Sequence, residues 1–234
     1  MCQDRNAKPE PLELQTRILS RNDSAAAHNR EHLVERGIFT VNVMGSPGSG
    51  KTAVLEATAR AFGDVRRVAA LAGDLATDND AARLRRAGMR SGAIETVQAC
   101  HLDAEMIHHE LHHFDLEGVE VLFIENVGNL VCPAVYDLGQ SANVVVLSVT
   151  EGEDKPLKYP TMFAKADLVL LTKGDLLPHL PSANVSAIFD ALARVMPDPR
   201  MLPISPLTGE GVKDWIGWLT MSRDAMMAAT AVTA

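Results

Sequence analysis

Residues 45–52 read Gly-Ser-Pro-Gly-Ser-Gly-Lys-Thr, with Gly45, four variable positions, and then Gly50-Lys51-Thr52. Every fixed position of the P-loop pattern G-x-x-x-x-G-K-S/T is filled. The residue types have a physical reason. Glycines let the backbone turn tightly enough for successive N–H groups of Gly45, Ser46, Gly48, Ser49 and Gly50 to surround phosphate oxygens, while Pro47, which has no N–H, contributes its shape to the loop. A helix starting near Lys51 would add the positive end of its dipole. The pattern therefore predicts a polyphosphate site in which Lys51 bridges the β- and γ-phosphates and the Thr52 hydroxyl ligates Mg²⁺.

Further candidates follow the other apolar runs. Asp74 closes VAALAGD and Glu125 closes VEVLFIE; hard cations take oxygen ligands, so both are candidates for Mg²⁺ and for catalysis beside Lys51. Gly128, three residues after Glu125, would let a backbone N–H approach a γ-phosphate. Thr172-Lys173-Gly174-Asp175 resembles the guanine-reading N/T-K-x-D motif of GTPases, with Thr in the more usual Asn position. A carboxylate at Asp175 accepts from guanine N1–H and the 2-amino group, whereas adenine offers neither donor, and sites built on such pairing discriminate by roughly 10⁴–10⁵-fold. Ser205, Pro206 and Leu207, after the last apolar run, complete the expected nucleotide site.

These groups need a scaffold. Short runs rich in Val, Leu and Ile recur at 39–44, 68–72, 93–97, 119–124, 144–149, 168–172 and 202–204, with helical segments between them. Without polar alternation they suit strands covered on both faces, which predicts a doubly wound, mostly parallel α/β fold of the P-loop NTPase type. Ligands in such folds sit at the carboxyl ends of the strands, where the candidates above fall. The expected division is a lead-in over 1–11, one domain over 12–221 with an N-terminal helix ending at Gly37, and a tail over 222–234. That helix could pack on its own sheet or on a second subunit.

Composition narrows the partners. A net charge of −8 with no long basic run argues against nucleic acid. No apolar stretch approaches a membrane span, and the polar N-terminus does not read as a signal peptide, so a cytoplasmic location is expected. Three cysteines, Cys2, Cys100 and Cys132, make a disulfide framework improbable in a reducing compartment.

Several longer stretches are more specific than the P-loop. The segments HNREHLVERGIFTVNVMGSPGSGKT, GDLATDNDAARL, ACHLDAEM, ENVGNLVCPAVYDLG, EGEDKPLKYPTMF, TKGDLLP and SPLTGEGVKDWIGWL resemble, in order and spacing, the HypB family of GTPases that assist nickel insertion during maturation of nickel–iron hydrogenase. The resemblance spans roughly residues 18–220. It implies a homodimeric, GTP-hydrolysing metallochaperone that works with a partner nickel protein and the hydrogenase large subunit. It also implies a metal site at Cys100, His101 and Cys132, a donor set that suits Zn²⁺ or Ni²⁺ on its own chemistry. The urease-type accessory GTPases share the nucleotide motifs and form the alternative, as does a nickel or zinc storage protein with a vestigial nucleotide site. The cysteine-rich N-terminal nickel motif of many members is reduced here to Cys2. Instead, His28 and His32, His108 and His112, and His109 and His113 stand four apart, each pair on one helix face. Lys155 and Lys158, in EGEDKPLKYP, are candidates for a contact with a neighbouring nucleotide or a dimer partner.

Overall fold

The computed structural model describes residues 11–74, 78–96 and 101–233, with the side chains of 11–18 and 233 left aside. Seven strands, β1 (Phe39–Met44), β2 (Val68–Asp74), β3 (Arg90–Glu95), β4 (Val121–Glu125), β5 (Ala142–Ser148), β6 (Leu168–Thr172) and β7 (Met201–Ile204), form one sheet in the order β3-β2-β4-β1-β5-β6-β7. Every ladder between them is parallel. The helices are α1 (Pro11–Glu35), α2 (Lys51–Ala61), α3 (Asn79–Arg86), α4 (Ala104–Leu111), α5 (Lys155–Lys158), α6 (Pro160–Ala164), α7 (Val185–Ala193) and α8 (Val212–Thr233).

Strand alternation divides the core between the two faces. On one face Phe39, Val41 and Val43 of β1 and Val144 and Val146 of β5 pack against Val54 and Leu55 of α2 and Trp215 and Leu219 of α8. The Trp215 indole N–H donates to Thr58 Oγ1 at 2.9 Å, which keeps the largest core side chain satisfied. The other face carries two clusters. Leu33 of α1 and Ile107 and Leu111 of α4 cover β2 and β4, while Phe163 of α6 and Ile188 and Leu192 of α7 cover β5 and β6. Between them, Asn42 of β1 bonds Asn143 Oδ1 at 3.1 Å and receives Asn126 Nδ2 at 3.2 Å.

Two expectations shift, and one left open is answered. β3 runs over 90–95 rather than 93–97, because the strand begins on Arg90, Ser91 and Gly92 at the sheet edge, where partial exposure removes the apolar signal. Helix α8 passes through residue 222, where a tail was expected: Arg223 pairs with Glu120 at 3.2 Å and Met226 packs against the core. Helix α1 packs on its own chain. Asn22 and Asn29 donate to the carbonyls of Asp137 and Leu138 at 2.8 and 3.2 Å, and Arg30 pairs with Asp137 at 2.6 Å. Gly139 permits that approach, since a Cβ there would lie 2.6 Å from the Ala26 carbonyl oxygen. Among the described residues no helix is long and apolar enough to cross a membrane.

Candidate functional site

The P-loop leaves β1 at the middle of the sheet, flanked by the carboxyl ends of β4 and β5. Gly45 at φ 151° could carry no side chain, because a Cβ would meet the Val146 carbonyl oxygen at 2.4 Å. Gly48 and Gly50 take φ of 74° and 103°, in the left-handed region that glycine enters without penalty. α2 then begins at Lys51, and Lys51 and Thr52 are both buried. The Lys51 ammonium lies inside the loop, 3.4 Å from the Gly45 carbonyl oxygen and 3.3 Å from that of Ser46. Burial lowers its pKa, against a smaller upward push from Glu125, Asp80 and Glu151.

Thr52 Oγ1 stands 2.7 Å from Glu125 Oε1 and 2.9 Å from Asp80 Oδ1. One hydroxyl proton can serve only one of these carboxylates. Glu125 is 2% exposed, and its second oxygen, Oε2, has no hydrogen-bond partner among the described residues. Burial, with a smaller push from Asp80, raises its pKa to about 7 against the pull of Thr52, Lys51 and Arg83. An oxygen donor set with a buried, unsatisfied carboxylate oxygen fits a hard divalent cation such as Mg²⁺. Asp74 lines the same cavity of about 500 Å³ together with Pro47, Gly50, Lys51, Asp80, Arg83 and Gly128.

Two of these residues lie in stretches quoted above but were not singled out there as site residues. Asp80 stands in the first turn of α3 rather than at a strand end, and Arg83, one turn on, pairs with Glu56 at 3.0 Å and with Asp80 at 3.4 Å. Glu151 is a third. Its carboxylate accepts the Ser46 hydroxyl and the Ser148 amide and pairs with Lys155 at 3.4 Å. Lys155 is thus tied to the P-loop of its own chain through Glu151, and Lys158 pairs with Asp154 at 2.7 Å.

Thr172 accounts for its own presence in the Asn position of the base motif. Its hydroxyl is buried and donates to the Ser49 carbonyl oxygen at 2.6 Å, binding the end of β6 to the P-loop. Lys173 takes φ 61°, the one positive value among the described non-glycine residues, and reaches the Gly48 carbonyl oxygen at 2.8 Å. Asp175 Oδ1 accepts the Ser205 hydroxyl at 2.6 Å, and Ser205 Oγ also receives the Thr208 amide at 3.2 Å. Pro206 and Leu207 continue the same turn, Leu207 being 84% exposed.

The segment after β4 lies across the P-loop. A Cβ on Gly128 would stand 3.0 Å from Pro47, and Asn129 forms an antiparallel bridge with Gly45. Cys132 then starts a short 3-10 turn, Cys132–Ala134. The His101 ring stacks on Tyr136 with centroids 3.9 Å apart, and the Leu102 amide donates to Asn126 Oδ1 at 3.3 Å. His101 is thereby held against the stretch that follows Cys132, and burial lowers its pKa. Cys100 lies outside the described residues.

Residues 39–201 match the family model described as CobW/HypB/UreG, nucleotide-binding domain. The hydrogenase maturation factor HypB of Rhizobium leguminosarum bv. viciae is 50% identical over 211 residues, covering 90% of this chain and 70% of that protein. The hydrogenase/urease maturation factor HypB of Helicobacter pylori strain J99 is 39% identical over 218 residues, covering 92% and 89%. The crystal structure of HypB from Helicobacter pylori in complex with nickel superposes with a TM-score of 0.82 at 38% identity, over 88% of this chain and 96% of that one. With a complete P-loop, a guanine-type motif and these relatives on both sequence and structure, the chain belongs to the HypB family of GTP-hydrolysing hydrogenase maturation factors.

Proposed function

We propose that the chain hydrolyses Mg²⁺-bound GTP at the P-loop and uses the cycle to control nickel or zinc held by Cys100, His101 and Cys132. In this role it acts as a homodimer serving a nickel-delivery protein and the large subunit of nickel–iron hydrogenase. The observation that carries the reading is the course of residues 125–132. Glu125 faces Thr52 at one end, Gly128 and Asn129 rest on Pro47 and Gly45 in the middle, and Cys132 stands at the other end.

Each residue has a defined task. The loop amides from Gly45 to Thr52 and the Lys51 ammonium hold the β- and γ-phosphates, exchanging the two long Lys51 contacts with carbonyl oxygens for stronger ones with phosphate. Thr52, Asp74, Asp80 and Glu125 supply the oxygens for Mg²⁺, directly or through its water. When bound, that ion neutralises charge building on the transferring phosphoryl group. Asp175, held by Ser205, reads guanine, and Lys173 and Leu207 cover the base. Phosphate and its cation would add contacts to residues 125–129 that are lost on hydrolysis, and a ligand carried at 132 would shift with that segment.

The test is a nickel titration of the dimer loaded with GDP or with a non-hydrolysable GTP analogue at fixed pH. The two affinities should differ by roughly 5–150-fold, the span of typical allosteric couplings, and Cys132→Ala should abolish the difference while sparing GTP binding. Equal affinities, or a difference that survives Cys132→Ala, would refute transmission through this segment. Urease is the second reading, since the Helicobacter pylori relative is named for both enzymes; the nickel enzyme left immature in a deletion strain separates the two.

A further inference from the structure

Two histidine pairs that are far apart in sequence meet where α1 packs on α4. His28 and His32 lie on α1, and His108 and His112 lie on α4 and its C-terminal end. The His28 and His108 ring centroids are 5.0 Å apart and those of His108 and His112 4.6 Å. Nε2 of His108 and Nε2 of His112 approach to 3.1 Å. Two imidazoles bound to one divalent cation at ~2.0–2.1 Å place their nitrogens roughly 3–3.4 Å apart and their centroids about 4.5–5.2 Å apart. The pair at 108 and 112 thus already has the separation of a chelate.

A buried asparagine fixes which nitrogen is available. Asn29 is fully buried, and its Nδ2 donates to the Ala104 carbonyl oxygen at 2.8 Å and to that of Leu138 at 3.2 Å. With both donor hydrogens used, Oδ1 is the atom facing His108 Nδ1, at 3.2 Å. An acceptor there requires N–H on Nδ1 and leaves the lone pair on Nε2, the atom that faces His112. Metal-binding imidazoles are oriented by such a bond through their other nitrogen.

We propose that His28, His108 and His112 form a site for a borderline divalent transition-metal cation, Ni²⁺ or Zn²⁺, separate from the P-loop and from Cys100, His101 and Cys132. Among the described residues no three His, Cys, Asp or Glu side chains already stand where they could hold a metal ion. Closure needs His28 to rotate, which its exposure allows. His32 is left out of the set because the ring contacts in the seam join His28 to His108 and His108 to His112. A metal in this seam would cross-link α1 to α4.

The experiment counts Ni²⁺ bound by the full chain carrying Cys2→Ala, Cys100→Ala and Cys132→Ala, so that no thiolate remains. One equivalent should persist without thiolate-to-nickel charge-transfer absorption. His112→Gln, at an exposed position, should weaken it by at least the ~10–100-fold typical of losing an outer-shell partner. His109→Gln with His113→Gln, also four apart but without a counterpart on α1, should leave it unchanged. If the cysteine variants fail to fold, His112→Gln in the cysteine-intact chain should lose one equivalent and keep the charge-transfer band. Absence of the thiolate-independent equivalent, or an equal loss in the His109 and His113 variant, would overturn the assignment.

Discussion

Replacing Glu125 by Gln should stabilise the metal-free protein at high pH while abolishing its activity. The carboxyl is 2% exposed and its pKa is raised from 4.5 to about 7, chiefly by burial. Between those two values the folded chain holds a proton that the unfolded chain has lost, so rising pH favours unfolding. Below about pH 4.5 both states are protonated and the residue costs nothing; above about 7 the full penalty is present. At ~1.4 kcal/mol per pH unit the penalty is about 3 kcal/mol, or roughly 6–12 °C in Tm for a chain of this size. Gln keeps the shape and the acceptor for Thr52 Oγ1 but never charges. Thermal unfolding in chelator at pH 5, 6, 7 and 8 should therefore show wild type and Glu125→Gln close together at pH 5 and separating as pH rises, with the variant the more stable. Adding Mg²⁺ at pH 8 should recover stability in wild type alone. Parallel curves across the range would refute the account of Glu125 as a buried carboxylate awaiting a cation.

Three other substitutions have defined outcomes. Asp175→Asn should weaken GTP and improve xanthine nucleotide, because an amide can donate to the new carbonyl; unchanged GTP affinity would remove Asp175 from the base site. Lys51→Ala and Thr52→Ala should each abolish turnover with a normal circular dichroism spectrum, and near-normal hydrolysis in either would contradict the phosphate assignment. Thr58→Val should cost about 1–3 kcal/mol, because the buried Trp215 indole loses its acceptor; a denaturation midpoint equal to wild type would show that the indole is satisfied otherwise.

The legible part of the sequence was the part with local cause. A P-loop has fixed spacing because the loop itself binds, and buried parallel strands are continuous apolar runs because both faces are covered. Residues that act only after the chain closes gave no such signal. Asp80 is one of several acids in GDLATDND, and nothing in their spacing selects it until α3 turns it toward Thr52. Glu151 reaches Ser46 across 105 residues. The asparagines at 42, 126 and 143 look like interruptions of apolar strands and their ends, yet they form one chain of hydrogen bonds, buried at 42 and 126. The histidine pairs were visible as pairs; only the packing of α1 on α4 brings them together.

The order of the strands explains how phosphate chemistry would reach the proposed metal site. β1 pairs with β4 on one side and β5 on the other, Val43 opposite Glu125 and Met44 opposite Val145. The chain leaving β4 and the chain leaving β5 must therefore both emerge beside the P-loop, and each makes contact with it. On the β5 side the contact is ionic and polar: Glu151 holds Ser46, its own strand end and Lys155 at once. On the β4 side the Glu125 carboxylate accepts the Thr52 hydroxyl at 2.7 Å, Gly45 bridges to Asn129, and Gly128 packs on Pro47. The β5 flank has several bonds to lose and acts as an anchor. On the β4 flank the contact of Glu125 with Thr52 lies within the candidate Mg²⁺ site, so an arriving or departing phosphate with its cation would act on it directly, and ordinary couplings supply ~1–3 kcal/mol. That flank carries Glu125 and Cys132, and a switch there would move the cysteine while β1, α2 and Glu151 stay in place.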